Sequence, residues 1–197
     1  MNLKSPVAAG GKPDRLIRFA GAVFCFALGA VAANSAAAEK SEKERMQLTS
    51  SAFTEGGPIP AKHTCDDKDV SPPLKWSGVP AGAKALVLIA DDPDAPSGMW
   101  VHWVLYDLSA TATELAEDVP KSQYVAAGAK QGLNDFRRLG YGGPCPPPGK
   151  PHRYFFKLYA LDAPLDLKPG LTKKDIERAM EKHVLAHAQL MGTYKRK

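Results

Sequence analysis

Cysteine is scarce in this 197-residue chain, with only Cys25, Cys65 and Cys145, and aromatic residues make up just 8% of it. None of the cysteines that would survive removal of the leader described below has a second ligand at metal-motif spacing, which argues against a structural zinc site. An excess of one charge is missing as well. The formal net charge is +5, but Lys4, Lys12, Arg15 and Arg18 against Asp14 place +3 of it in residues 1–38, leaving +2 for the rest. A nearly neutral body offers no electrostatic footprint for nucleic acid. Internal repeats are absent, and no Ser or Cys stands in a recognisable nucleophile motif.

Long apolar runs are also few. One, Phe19 to Ala33, follows a basic leader ending at Arg18 and precedes Ala36-Ala37-Ala38, an A-x-A pattern before Glu39. This arrangement predicts a cleavable signal peptide over residues 1–38, and the run is short for a retained anchor, so no stable membrane anchor is expected. Phe24 stands where a lipidated Cys25 would need a small residue, which excludes the lipoprotein reading. The expected location is periplasmic or secreted. Cleavage leaves Cys65 and Cys145, two thiols that an oxidising compartment invites to pair, although spacing alone leaves two unrelated reduced thiols open. Such a bond would close a loop of about 80 residues and stabilise the fold by roughly 4 kcal/mol.

Residues 39–46 are polar without apolar period and predict a linker, with one domain over residues 47–197. Gln47 to Phe53 alternates as a strand does, Gly56 to Pro60 is a turn, and Ala61 to Cys65 is expected as a short strand. Pro72 and Pro73 mark an edge or extended segment before Trp76. Ala85 to Ala90 and Val104 to Leu108 are apolar runs of buried-strand length. Between them lies an acidic, proline-stiffened loop that carries Asp92 and Asp94, with His102 near the start of the second run. Residues 109–136 show no clear period and read as a long surface excursion. Residues 139–151 hold five prolines and four glycines. They lead into His152 to Leu161, where period two sets His152, Tyr154, Phe156 and Leu158 on one face and Arg153, Phe155 and Lys157 on the other. Thr172 and Asp175 suit a capping box for one amphipathic helix reaching to about Leu190, with Ile176, Ala179, Met180, Val184 and Ala188 on its apolar stripe. His183 and His187 then stand i, i+4 on it, without a carboxylate in register for a metal. Met191 to Tyr194 is expected as a last strand, and exposed apolar groups near the helix would support a homodimer.

Unusual chemistry concentrates in two segments. Asp92-Pro-Asp-Ala-Pro96 followed by Trp100-Val-His-Trp103, and Gly140-Tyr-Gly-Gly-Pro144 followed by His152-Arg-Tyr154, resemble the two signature regions of the phosphatidylethanolamine-binding protein family, which includes the Raf kinase inhibitor protein. Ser71-Pro-Pro-Leu-Lys-Trp76 and Leu158-Tyr-Ala-Leu-Asp162 agree with its bacterial branch, and the resemblance covers about residues 47–195. It implies a mainly β fold, a Greek-key antiparallel β-sandwich of a large and a small sheet with a C-terminal helix. It also implies a small pocket for phosphate-type or other anionic ligands, such as phosphoethanolamine-like head groups, formed by Asp92, His102, Gly143, Pro144, His152 and Tyr154, with Asp94, Trp100 and Arg153 around them. No cofactor and no metal are implied.

The residues fit that outline physically. Glycine-rich backbone at Gly142 and Gly143 is suited to aim N–H groups at an anion, and the imidazoles at 102 and 152 donate to phosphate oxygens, more strongly when protonated. Asp92 has two expected roles, holding an imidazole or accepting from the ammonium of a zwitterionic head group; Arg153 is expected to pair with Asp94. A Cys65–Cys145 bond would brace the loop that follows Pro144. Where eukaryotic members carry a longer charged insert, only Ser97-Gly98-Met99 separates the acidic loop from the histidine strand, which speaks against kinase inhibition. The expected function is therefore a non-enzymatic, exported binding protein for a small anionic or phosphorylated ligand. Two alternatives belong to other classes: a protein-interaction module that inhibits a protease or kinase, and a hydrolase using an Asp/His cluster as acid and base.

Overall fold

The computed structural model describes residues 45–125 and 128–196; the expected signal peptide over 1–38 and most of the polar linker lie outside them. Among these residues, eight strands form two antiparallel sheets. β1 (Gln47–Thr49), β2 (Leu74–Ser77) and β5 (Glu114–Leu115) make the small sheet in the order β1-β2-β5. β3 (Ala85–Asp92), β4 (Trp100–Ser109), β6 (Lys130–Gln131), β7 (His152–Leu161) and β8 (Val184–Tyr194) make the large one in the order β6-β4-β3-β7-β8. α1 (Lys173–Met180) packs on the outer face of the large sheet. Among the described residues the fold is mainly β, two packed sheets with one α-helix.

The apolar run of β3 has a reason in this layering. A strand covered on both faces reads as continuous rather than alternating hydrophobicity, and all eight β3 residues are buried. Leu86, Leu88 and Ala90 join Trp76, Trp103, Leu105, Tyr154, Phe156 and Leu158 between the sheets. Val87 and Ile89 join Val104, Tyr106, Ile176 and Met180 beneath the helix. Each large side chain withdrawn this way contributes about 1.5–3 kcal/mol. In β7 the polar and apolar residues alternate as expected, since His152, Tyr154, Phe156 and Leu158 are buried while Arg153 is exposed.

Two expected elements differ. Ala61–His63 is a single 3-10 turn rather than a strand; its donors are satisfied locally, with His63 and Thr64 amides donating to the carbonyls of Pro60 and Ala61. The helix begins at the expected capping box, where Thr172 and Asp175 exchange backbone and side-chain hydrogen bonds. It stops at Met180, and the chain turns at His183 into β8, which pairs with β7 from Leu161↔Val184 to His152↔Tyr194. The unpaired edge of β7 claims this segment against its helical period. His183 and His187 therefore do not share a helix face: the Nδ1 of His183 meets Asp162 Oδ1 at 2.7 Å, and the His187 ring lies 6.1 Å from that of Tyr159. No helix among the described residues is long and apolar enough to cross a membrane.

Candidate functional site

Period two along β3 separates its two terminal aspartates. Asp91 continues the helix-side face, fully buried, and its carboxylate takes Lys157 Nζ at 2.8 and 2.9 Å and Lys173 Nζ at 2.6 Å. Asp92 continues the sandwich face and is 3% exposed. One of its oxygens accepts from the Asp94 amide at 2.7 Å, and the other faces His152 Nδ1 at 2.8 Å.

His102 reaches the same face through a β-bulge. Pairing of β3 with β4 passes from Ala90↔Trp103 to Asp91↔Val101, leaving His102 as the extra residue. Bulges re-aim a side chain in this way, and the imidazole lies edge-on to Tyr154 at 5.1 Å and to Phe136 at 5.4 Å. Its Nδ1 is 2.6 Å from the Gly142 carbonyl. A carbonyl only accepts, so Nδ1 carries the proton. Burial pushes this imidazole below its ordinary value, against the opposing effect of the Gly142 carbonyl and the Asp92 charge, and the neutral ring presents Nε2 as an acceptor. His152 is fixed likewise, its Nδ1 donating to the Asp92 carboxylate.

Together these groups border a pocket of about 310 Å³ lined by Asp92, His102, His152, Trp100, Phe136 and the prolines 96, 146 and 147, with Ala95, Ser97 and Cys145 completing the wall. No described residue hydrogen-bonds to Nε2 of either ring. The Tyr154 hydroxyl is the one buried side-chain polar atom without a hydrogen-bond partner among the described residues. Burial raises that phenol, and the carboxylate of Asp92 raises it further, so it stays protonated.

The rim is held from both sides. Arg153 grips Asp94 with Nη2 on Oδ1 at 2.7 Å and with Nε and its own amide on Oδ2, each at 2.9 Å. The guanidinium holds the Asp94 carboxyl down at about 2. Cys145, in the lining, has its Sγ at bonding distance from that of Cys65 across 80 positions of sequence, and the Cys65 amide donates to the Pro144 carbonyl at 3.1 Å.

The expected glycine nest is not formed. The Gly142 amide donates to the His102 carbonyl at 2.9 Å and the Gly143 amide to Asp69 Oδ1 at 2.6 Å, so neither is aimed at the pocket. Gly143 is glycine for close approach: a Cβ there would sit 2.4 Å from the His63 carbonyl oxygen. Gly143 and Pro144 stay outside the lining, and Tyr154 stands behind it. Phe136, absent from the sequence expectation, enters the wall because a turn at Asn134–Arg137 presents it; Asn134 ties that turn to Gly140 and Arg138. Its only local signal was an aromatic residue in a stretch without period.

A family model for phosphatidylethanolamine-binding protein matches residues 49–195. The chain is 54% identical over 151 residues to a UPF0098 protein of Methanothermobacter thermautotrophicus, covering 77% of this chain and 99% of that one. Among solved structures it is similar to a phosphatidylethanolamine-binding protein homologue of Chlamydia trachomatis, at 46% identity and TM-score 0.72, covering 78% of this chain and 99% of that one. It is also similar to YbcL of Escherichia coli, a member of the mammalian family, at 34% identity and TM-score 0.73 with the same coverage. With the matched residues spanning both sheets, the helix and every group that borders the pocket, the chain belongs to the phosphatidylethanolamine-binding protein family.

Proposed function

We propose that this is an exported binding protein whose pocket holds the phosphoryl end of a small anionic ligand, such as a phosphoethanolamine-like head group, without catalysing a reaction on it. One observation carries the reading: two imidazoles border one pocket, each with Nδ1 tied to an acceptor of the fold, and Nε2 remains for a ligand. Phosphate oxygens accept strongly from charged N–H donors. The neutral His102 ring accepts at Nε2, so the anion enters with a proton, either on its own oxygen or on that imidazole. Asp92 takes the first of its two expected roles and orients His152.

Export is supported by the expected leader over residues 1–38 and by the placement of Cys65 and Cys145 at bonding distance. The hydrolase alternative gains nothing from the geometry. Asp92 and His152 supply an orienter and a base, but Ser97, the hydroxyl in the lining, is not hydrogen-bonded to either ring, whereas an activated nucleophile sits within hydrogen-bond reach of its base. Calorimetric titration with inorganic phosphate tests the proposal. Saturable binding that weakens about tenfold or more in His152→Gln is expected, from the loss of one charged hydrogen bond; the same affinity in the folded variant refutes it.

A further inference from the structure

One wall of the pocket is held from outside itself. From Cys145 to Pro151 the chain reads Cys-Pro-Pro-Pro-Gly-Lys-Pro, and its four prolines have no amide hydrogen to donate. Among the described residues, no hydrogen bond ties 146–151 to the rest of the fold. Pro146 and Pro147 nevertheless line the pocket beside Cys145. Two contacts of residue 65 fix the start of this segment: its amide on the Pro144 carbonyl at 3.1 Å, and its sulfur at bonding distance from Cys145 Sγ.

Both cysteines are exposed, and exposed disulfides are the labile ones. Their surroundings are not symmetric. Asp66 Oδ1 lies 4.0 Å from Cys65 Sγ and Arg196 Nη1 lies 4.0 Å from Cys145 Sγ, while Arg196 Nε meets the same Asp66 oxygen at 2.9 Å. A cation beside a sulfur favours its thiolate, so Cys145 is the better leaving group of the two. We propose that Cys65 and Cys145 form a thiol–disulfide exchange site that latches the pocket wall, with a dithiol of the Cys-X-X-Cys kind as its partner, and that reduction loosens the hold on the ligand. The loosening rests on the phosphoryl reading above; the exchange does not.

One thiolate of the dithiol attacks Cys65 Sγ. The bond to Cys145 breaks as a bond to the reductant forms, and the electron pair leaves on Cys145 Sγ beside Arg196. The second thiol of the reductant then attacks its own sulfur in the mixed disulfide and releases Cys65. The dithiol ends as a disulfide, having passed two electrons and two protons to two cysteine thiols.

The oxidised protein, treated with dithiothreitol without denaturant, tests the latch. It is expected to take up two maleimide tags while keeping a cooperative thermal melt at a lower midpoint. Its affinity for inorganic phosphate in calorimetry should fall about three- to tenfold, the ordering cost of a loop side chain, and recover on reoxidation. In a partial reaction with 2-mercaptoethanol quenched by N-ethylmaleimide, peptide masses should place mercaptoethanol on Cys65 and maleimide on Cys145 roughly fivefold more often than the reverse, the effect of one unit charge at 4 Å in water. In Arg196→Gln that preference should fall toward one. Reduction only in denaturant, or a reduced form without a cooperative melt, overturns the proposal, since the bond is then structural alone. Equal or reversed tagging in the unmodified protein overturns the attack at Cys65. Equal phosphate affinity in both redox states overturns the latch. No phosphate binding in either state overturns the phosphoryl reading and the loosening with it, while the tagging still decides the exchange site.

Discussion

Replacing Asp92 by asparagine sets two electrostatic effects against each other. The carboxylate holds His152 by Nδ1 at 2.8 Å with its side chain only 4% exposed, so an effective dielectric near 20 applies, and a charge pair about 4 Å apart gains about 4 kcal/mol. That attraction helps a bound anion whenever His152 donates from both nitrogens. The same carboxylate repels the anion, but an oxygen hydrogen-bonded to Nε2 lies across the ring, about 8 Å away by ordinary bond lengths, and the repulsion is then about 2 kcal/mol for a monoanion. Attraction wins by about 2 kcal/mol, a roughly 30-fold loss of affinity in Asp92→Asn. Asparagine still offers an oxygen to the Asp94 amide, so the loop remains in place. Calorimetric titration with phosphate at pH 6.5, with a denaturant melt confirming the fold, reads the effect. Affinity that is unchanged or tighter in Asp92→Asn would refute the role given to this residue and show that repulsion governs the pocket.

Three further outcomes follow from the same structure. Because the neutral His102 ring accepts at Nε2 and burial lowers its proton affinity, anion binding takes up close to one proton: affinity should fall about tenfold per unit between pH 7 and 8, and titrations in buffers of different ionisation enthalpy should report that uptake, whereas zero uptake contradicts it. Asp91→Ala should destabilise the fold by roughly 3 kcal/mol, since it strands Lys157 and Lys173 beside a buried site; a denaturation midpoint equal to that of the unmodified protein would show that the triad contributes nothing. Oxidised protein should lose about 4 kcal/mol in Cys65→Ser/Cys145→Ser, the cross-link entropy of its loop, and intact mass under non-reducing conditions should lack two hydrogens; two free thiols would refute the bond.

Much of this architecture was legible because particular residues left no competing choice. The run from Ala85 to Ala90 is too short and too apolar for a surface helix, and the alternation from His152 to Leu158 names its buried face. Asp92, His102 and His152 were identifiable as polar groups at the ends of buried strands, where leaving them unpaired is costly. What escaped was tertiary. Val184 and Ala188 continue the helical stripe of Ile176 and Met180, but pairing with β7 overrides that local period, because an unpaired sheet edge leaves a row of backbone groups unsatisfied. Strict alternation would put His102 with Val104 and Tyr106, on the helix side of the sheet. Only the bulge against Ala90 and Asp91 turns it into the pocket, and no local residue announces that bulge.

The glycines mislead for a related reason. Gly142 and Gly143 permit an anion nest, yet the structure uses their small size, since Cβ atoms there would strike Phe136 and the His63 carbonyl, and their amides bind His102 and Asp69. Composition shows that a backbone can approach something closely; it does not say what. Phe136 is the complementary case, a wall residue made visible only when the turn at Asn134 folds against Gly140.

Nε2 of His102 and Nε2 of His152 are expected to meet one anion. Long-range proton–nitrogen correlation spectra of protein labelled at histidine nitrogens, titrated with inorganic phosphate at pH 6.5, test it directly. The Nε2 resonances of His102 and His152 should move together and saturate, with their Nδ1 nitrogens still protonated, while His63, His183 and His187 stay in place. Stationary His102 and His152 resonances at millimolar phosphate, or equal movement of all five histidines, would contradict it.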